Sequence, residues 1–181
     1  MQLRHLLPTL ALTLPTSHTF ASANPSSSTL TPWEQIHRTL HTYPLAIDSK
    51  SSPLFPQVFA PDAIANYTGP LSDLVGLDSI TRGLLASVSS LVTQHQLGTT
   101  LIDIGGTSGT ANATTYFTAT LFSIAPATSG DFTILFGLYR DELVEVGSDG
   151  DSATAQGGSP WRIVRRQLEF MTPNLGNLTL G

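Results

Sequence analysis

The spacing of apolar and polar residues divides the chain into a short apolar leader, a helical stretch and a long β stretch. Leu6–Pro15 is apolar, is interrupted by Pro8 and Pro15, and is too short to span a bilayer. Asn24–Leu30 is a Pro/Ser-rich linker expected to be disordered. Thr31-Pro32-Trp33-Glu34 has the form of a capping box with Pro at the first helical position. Trp33, Ile36, Leu40, Tyr43 and Ile47 then follow at helical spacing. Pro44 has no amide to donate, so this helix is expected to bend or break near Tyr43. Pro53–Phe59 reads as a second short helix, Ala60-Pro61-Asp62 as a turn, and Ala63–Thr68 as a short strand. Leu77, Ile80, Leu84, Leu85, Val88 and Leu91 predict a third helix over Leu74–Leu91.

Alternation takes over beyond that point. Strands are expected at Gln94–Ile104, Thr110–Ile124, Phe132–Val146 and Trp161–Met171. Gly105-Gly106 ends the first of them, Gly147–Pro160 is a polar loop, and residues 173–181 form a tail. Helices first and consecutive strands afterwards predict an α+β domain with an antiparallel meander, spanning residues 31–172. The period of two also sorts faces. Ala113, Thr115, Phe117, Ala119 and Leu121 should point inward, opposite Asn112 and Tyr116. Gly137, Tyr139, Asp141 and Leu143 share one side of the next strand, and His95, Leu97, Thr99 and Leu101 one side of the first. An inner face mixing small and polar residues with aromatics suggests a lined cavity, since a solid core would use more Leu, Ile and Val.

Composition adds a compartment and removes several chemistries. Met1–His5 carries Arg4, the apolar run follows, and Thr16–Ala23 ends in Ala21-Ser22-Ala23, so residues 1–23 have the three-part form of a secretory signal peptide. Three sequons follow, at Asn66, Asn112 and Asn177, and in a secreted eukaryotic chain they would be glycosylation acceptors. The 181 residues include no Cys, which excludes disulfides, thiolate nucleophiles and thiolate-held metals. A net charge of −5 speaks against nucleic acid as a partner and, after signal cleavage, against an anionic membrane.

Few residues remain that could carry chemistry. His37 and His41 lie one turn apart, but no third ligand accompanies them, so no metal site is expected and a solvated helix face is the plainer reading. Asp149-Gly150-Asp151 lacks the other ligands of a calcium loop. Arg162 and Arg166 should share one side of the last strand with Arg165 on the other, pairing with acids such as Asp62 or Glu142. No nucleophile elbow, phosphate loop or dinucleotide glycine pattern occurs, and no cofactor is expected. His95 sits on the inward side of a strand. Asp48, at the end of the first helical region, is its candidate partner, because a carboxylate on one ring nitrogen raises the basicity of the other. Tyr67, and then Tyr139, could polarise a carbonyl in the same cavity. An ordinary core tyrosine is the bland alternative for each.

The chain resembles the SnoaL-like group of the NTF2-like superfamily. The resemblance rests on Tyr43-x4-Asp48, Val58-Phe59-Ala60-Pro61-Asp62-Ala63, Asn66-Tyr67-Thr68-Gly69, Gly76-Leu77-Asp78-Ser79-Ile80, Thr93-Gln94-His95, Gly137-Leu138-Tyr139-Arg140-Asp141, and Trp161-Arg162-Ile163 with Arg166. It implies a cone in which helices close a strongly curved antiparallel sheet around a pocket, and a homodimer through the outer sheet face, which a glycan at Asn112 would obstruct. The nearest enzymatic likeness is to scytalone dehydratases. By it, Asp48 and His95 match an Asp–His pair, and Tyr67 matches one of two tyrosines that hold a catalytic water. Ile47 stands where the other tyrosine belongs, a second histidine has no counterpart, and Tyr139 and Asp141 stand at the substrate-contacting Ser and Asn. These departures argue against a true scytalone dehydratase.

Two functions are therefore expected. One is a cofactor-independent lyase, isomerase or cyclase for a small aromatic or polyketide-like molecule, with Asp48, His95 and Tyr67 catalytic and Tyr43, Phe117, Tyr139 and Asp141 binding substrate. The other is a non-catalytic module on the same fold that binds a small hydrophobic ligand or dimerises.

Overall fold

The computed structural model describes residues 30–106, 109–125, 130–147 and 158–177. The expected signal peptide, the linker up to residue 29, the Asp149-Gly150-Asp151 segment and the last four residues lie outside them. Helix α1 spans Pro32–Asp48, and its capping box is formed: Thr31 N donates to Glu34 Oε2 at 2.8 Å, and Glu34 N donates to Thr31 Oγ1 at 3.3 Å. Pro44 does not break it. An internal proline costs a helix about 3 kcal/mol, and the burial of Tyr43, Ala46 and Ile47 on either side offsets that. A 3₁₀ helix, Ser52–Gln57, leads into strand β1, Phe59–Asn66.

The residues read as a turn, Ala60-Pro61-Asp62, belong to β1 instead. They fall within an irregularity where the register against the neighbouring strand shifts between Phe59 and Ile64. A proline without an amide is harmless there. The third helix is shorter than its apolar pattern suggested. β2, Leu74–Val75, comes first; α2 then runs only over Leu77–Ser87, from Gly76 at φ 81°, a conformation that favours glycine.

Long strands complete the fold: β3 Leu91–Gly105, β4 Thr110–Ser123, β5 Phe132–Glu145 and β6 Trp161–Phe170. A short β7, Leu175–Gly176, pairs with β5. The strand order is β2-β1-β6-β5-β4-β3. β3 to β6 form the antiparallel meander, whereas β1 runs parallel to β6, so the sheet is mixed rather than wholly antiparallel. The helices pack on its concave face, and the architecture is α+β. The core joins Ile36, Leu40 and Ile47 of α1 and Ile80 and Leu84 of α2 to the inner residues of the sheet.

The inner faces of β4 and β5 follow strict alternation: Ala113, Thr115, Phe117, Ala119 and Leu121 are buried, and so are Tyr139, Asp141 and Leu143. β3 does not keep it. Leu97 pairs with Phe117 but Thr100 pairs with Thr115, so β3 carries one extra residue there. This bulge exchanges the faces beyond Gly98. Leu101, expected inward, is 63% exposed, and Ile102 packs against the core instead. A second bulge lies in β6, where Glu142 pairs with Arg165 and Leu143 with Ile163. It puts Arg162, opposite Val144, on the side of Arg165 rather than that of Arg166.

Candidate functional site

Between the concave face of the sheet and the helices lies a cavity of about 670 Å³. Tyr43 and Ile47 reach it from α1, Leu84 and Val88 from the α2 side, and His95, Phe117, Leu121, Leu135, Tyr139 and Leu168 from the sheet. Tyr67, Thr68 and Leu71, with Phe170 and Asn174, complete its lining. Volume and mostly apolar walls both suit a small organic molecule.

Asp48 closes α1 and meets β3 at the cavity wall. Its Oδ1 lies 2.7 Å from His95 Nδ1 and accepts the Thr93 hydroxyl at 2.8 Å; its Oδ2 accepts the His95 backbone N–H at 2.8 Å. Two further contacts hold helix and strand in this register: Lys50, just past the helix, donates its Nζ to the Leu91 carbonyl at 2.9 Å, and the His95 ring meets the Tyr43 ring edge-on at 6.2 Å. The His95 side chain is only 10% exposed and that of Asp48 23%. Burial pushes the Asp48 carboxyl up, but donation from the His95 ring and amide, with Thr93, more than reverses this and holds it below the usual carboxylate range. An ionised carboxylate accepts only, so the Nδ1 facing it carries the proton. In the neutral imidazole, Nε2 then carries the lone pair and is the nitrogen able to accept a proton.

Behind this wall lies a second polar cluster. Arg166 forms a bidentate pair with Asp141, 2.7 Å from Nε to Oδ1 and 2.7 Å from Nη2 to Oδ2, with side chains 1% and 0% exposed. The guanidinium also lies over the rings of Tyr43 and Tyr139, at 4.4 and 4.2 Å from their centroids. Burial works against its charge, but Asp141 outweighs that and raises its affinity for the proton. Burial also lifts the hydroxyls of Tyr43, Tyr67 and Tyr139 above the ordinary phenol range, Arg166 opposing it. The Tyr67 hydroxyl and Arg166 Nη1 are both buried without a hydrogen-bond partner among the described residues.

The structure thus brings Asp48 and His95 together and places Tyr43, Tyr67, Phe117 and Tyr139 along the same cavity. Asp141, expected among the substrate contacts, lies beneath the lining, where Arg166 engages both of its oxygens. Arg166 therefore pairs with neither Asp62 nor Glu142; Arg165 is 3.6 Å from Glu142. Sequence reasoning missed Thr93 and Arg166. Thr93 was within reach, since it lies two residues before His95 on the same face. Arg166 was not, because its partner depends on the register between β5 and β6.

None of the three sequon asparagines lines the cavity. Asn66 closes β1 and accepts from Thr68 N at 2.9 Å, and Asn112 is exposed on β4. Asn177 accepts from Phe132 N at 3.0 Å and donates to Asp131 Oδ1 at 2.8 Å. His37 and His41 stack at 4.1 Å on α1, and among the described residues no group of three potential metal ligands occurs. No described helix is long and apolar enough to cross a membrane.

Fold and cavity together define a SnoaL-like domain. The sequence model of that family matches residues 28–167, and the chain belongs to the family. No curated protein matches the chain in sequence. Solved structures share its fold. A proposed scytalone dehydratase from Novosphingobium aromaticivorans has a TM-score of 0.63 at 21% identity, covering 81% of this chain and 88% of its own. A type 2 hexachlorocyclohexane dehydrochlorinase has a TM-score of 0.63 at 11% identity, again over 81% and 88%. An NTF2-like superfamily protein from Salmonella enterica has a TM-score of 0.61 at 16% identity, over 77% and 90%.

Proposed function

We propose that this protein is a cofactor-independent lyase, isomerase or cyclase that acts on a small aromatic or polyketide-like molecule. One observation carries the reading: an imidazole at the wall of an apolar cavity, with its Nδ1 bound to the Asp48 carboxylate 2.7 Å away. His95 Nε2 removes a proton from a carbon beside a carbonyl. The C–H electron pair forms a carbon–carbon double bond, and the carbonyl π pair moves onto oxygen as an enolate. Tyr67 donates to that oxygen. In a dehydration the enolate re-forms the carbonyl and expels a β-hydroxyl, which takes the proton from the imidazolium and leaves as water. In an isomerisation the same proton returns to another carbon. Two structural neighbours support the class by name, one a proposed dehydratase and one a dehydrochlorinase.

The test is deuterium exchange into 2-tetralone, a bicyclic aromatic ketone, followed by NMR in D₂O. Exchange by the wild type is expected to exceed that by His95→Gln by about 10²–10⁴-fold, the usual contribution of a positioned base. Equal rates in folded samples overturn the reading. Ile47 favours a second one, non-catalytic binding, because it puts hydrocarbon where the resemblance implies a tyrosine. That reading expects saturable binding of 2-tetralone with no exchange. We also propose that the chain is secreted after loss of residues 1–23 and glycosylated at one or more sequons. N-terminal sequencing and endoglycosidase treatment of secreted material test this.

A further inference from the structure

Asn174 lines the cavity but has no part in the proton transfer just described. It gets there through the way β6 passes into β7. Phe170 pairs with Gly137 and Leu175 with Ile134, so β5 advances three residues while the strand beside it advances five. The two extra residues form a bulge, and a bulge re-aims side chains. Both sides of it are pinned. Met171 N donates to the Phe136 carbonyl at 2.9 Å, Thr133 Oγ1 to the Leu175 carbonyl at 3.3 Å, and Asn177 N to the Phe132 carbonyl at 3.0 Å. Alternation then decides the face. Leu175 lies opposite Ile134 on the outer side and is 53% exposed. Asn174 is the next position along, beside Leu135, and like Leu135 it belongs to the cavity lining.

That placement sets a separation from His95. His95 pairs with Ala119, and Ala119 with Leu135. Asn174 is therefore three strands from His95 in the same row, roughly 14 Å along the curved sheet at the usual strand spacing. The cavity lining on this side is largely hydrocarbon, with Leu121 and Leu135 among it. Among the described residues no hydrogen bond occupies the Asn174 amide. Its carbonyl accepts and its NH₂ donates, so it can meet a hydroxyl in either role. Two other polar side chains reach the lining near this end. Ser87 already donates its Oγ to the Leu84 carbonyl at 2.8 Å. Thr68 follows Tyr67 past the end of β1, off the row that starts at His95.

We propose that Asn174 is a substrate-binding residue that selects for an oxygen remote from the reacting carbon, and that the substrate class is a bicyclic aromatic ketone with a hydroxyl on its far ring. Two fused rings with a hydrogen bond at either end span the row, whereas a single ring leaves Asn174 unreached. The proposal rests on the reading of the cavity as the site of proton transfer by His95 and names the substrate class of that site. Asn174 is exposed before the ligand arrives, so its new bond replaces one to water. The gain in affinity is then about 3–10-fold rather than several orders of magnitude.

The experiment is calorimetric binding of 2-tetralone and of 6-hydroxy-2-tetralone to the full chain. The second ketone carries its hydroxyl on the ring remote from the carbonyl. Asn174→Ala removes the amide without adding apolar surface, and Asn174→Asp keeps an acceptor of the same shape. The affinity for the hydroxylated ketone relative to the plain one should fall by about 3–10-fold in Asn174→Ala and be kept in Asn174→Asp. The side chain is exposed and unbonded, so both variants should melt as the wild type does. A ratio that Asn174→Ala leaves unchanged, a ratio lost equally in Asn174→Asp, or binding of neither ketone to the wild type overturns the proposal. Exchange into 2-tetralone with a ratio indifferent to Asn174 rejects this inference alone. A ratio that depends on Asn174, without exchange, supports this inference and rejects the proton-transfer reading alone.

Discussion

Replacing Asp48 by Asn separates the two things its carboxylate does. The wild-type side chain accepts three hydrogen bonds, from Thr93 Oγ1, His95 N and His95 Nδ1. Asn has one accepting oxygen and an NH₂ that can only donate. Whichever way it is placed, at least one of the three donors faces another donor. A buried donor left unmet costs about 1–3 kcal/mol, and a domain of this size loses about 2–4 °C of melting temperature per kcal/mol. If the NH₂ faces Nδ1, the imidazole proton moves to Nε2, the atom proposed as the base. The expected loss of tetralone exchange is then about 10²–10⁴-fold, far beyond what the modest destabilisation explains. Heteronuclear NMR should find the proton on Nδ1 in wild type and on Nε2 in Asp48→Asn. The folded Asp48 carboxyl lies below its ordinary value near 3.8. Its stabilising contribution is thus complete above that pH and is lost as the pH falls through the lower folded value. The stability gap between wild type and Asp48→Asn should be constant at neutral pH and close below about pH 4. A proton on Nε2 in the wild type, or a gap that persists at low pH, refutes the reasoning.

Two further substitutions test the frame around the site. A Cβ at Gly137 would meet the Glu169 carbonyl oxygen at 2.6 Å and the Phe117 ring at 2.7 Å; Phe117 stacks on Tyr139 with ring centroids 4.4 Å apart, so Gly137→Ala should cost about 1–3 kcal/mol in urea unfolding and disturb that stack, with a wild-type stability as the contrary result. The bulge in β3 predicts that Ile102→Ser destabilises by about 1–2 kcal/mol while Leu101→Ser stays within about 0.5 kcal/mol; the reverse order would restore uninterrupted alternation.

What the sequence disclosed depended on whether a local rule operated alone. The capping box at Thr31 and the inner faces of β4 and β5 follow from spacing only, and spacing was enough. Leu101 was misplaced because a bulge adds one residue without any motif to mark it; Gly98 beside it is compatible with many structures. Arg162 was misplaced by the second bulge for the same reason. Pro61 looked like a turn because the sequence does not show that its missing amide falls in a break of the β1 register. Asp48 and His95 could be nominated as partners from their chemistry and position, and again through the resemblance, but the contact spans 47 residues of chain and depends on the packing of α1 against β3. The Asp141–Arg166 pair depends on register alone, and no pattern within either strand announces it.

The polar groups of the cavity are unevenly distributed, and the proposed chemistry needs that unevenness. The helix side supplies Asp48, held against His95, but next to it Ile47 offers only hydrocarbon. A base working alone stalls, because the electrons released by the C–H bond must settle on an oxygen within walls such as Leu121 and Leu135. In surroundings less polarisable than water, an uncompensated enolate is raised by several kcal/mol. Tyr67 and Tyr139 line the same cavity, and Arg166 backs the Tyr139 ring at 4.2 Å. Asp141 and two aromatic faces compensate the desolvation of Arg166, so the wall behind these tyrosines is fixed before any charge develops. On the proposed reading, the base therefore belongs to the junction of α1 with β3 and the electrophilic side to the tyrosines backed by β5 and β6. The two halves share Tyr43, whose ring meets His95 edge-on and lies under the Arg166 guanidinium, so a substitution in one half is checked for its effect on the other.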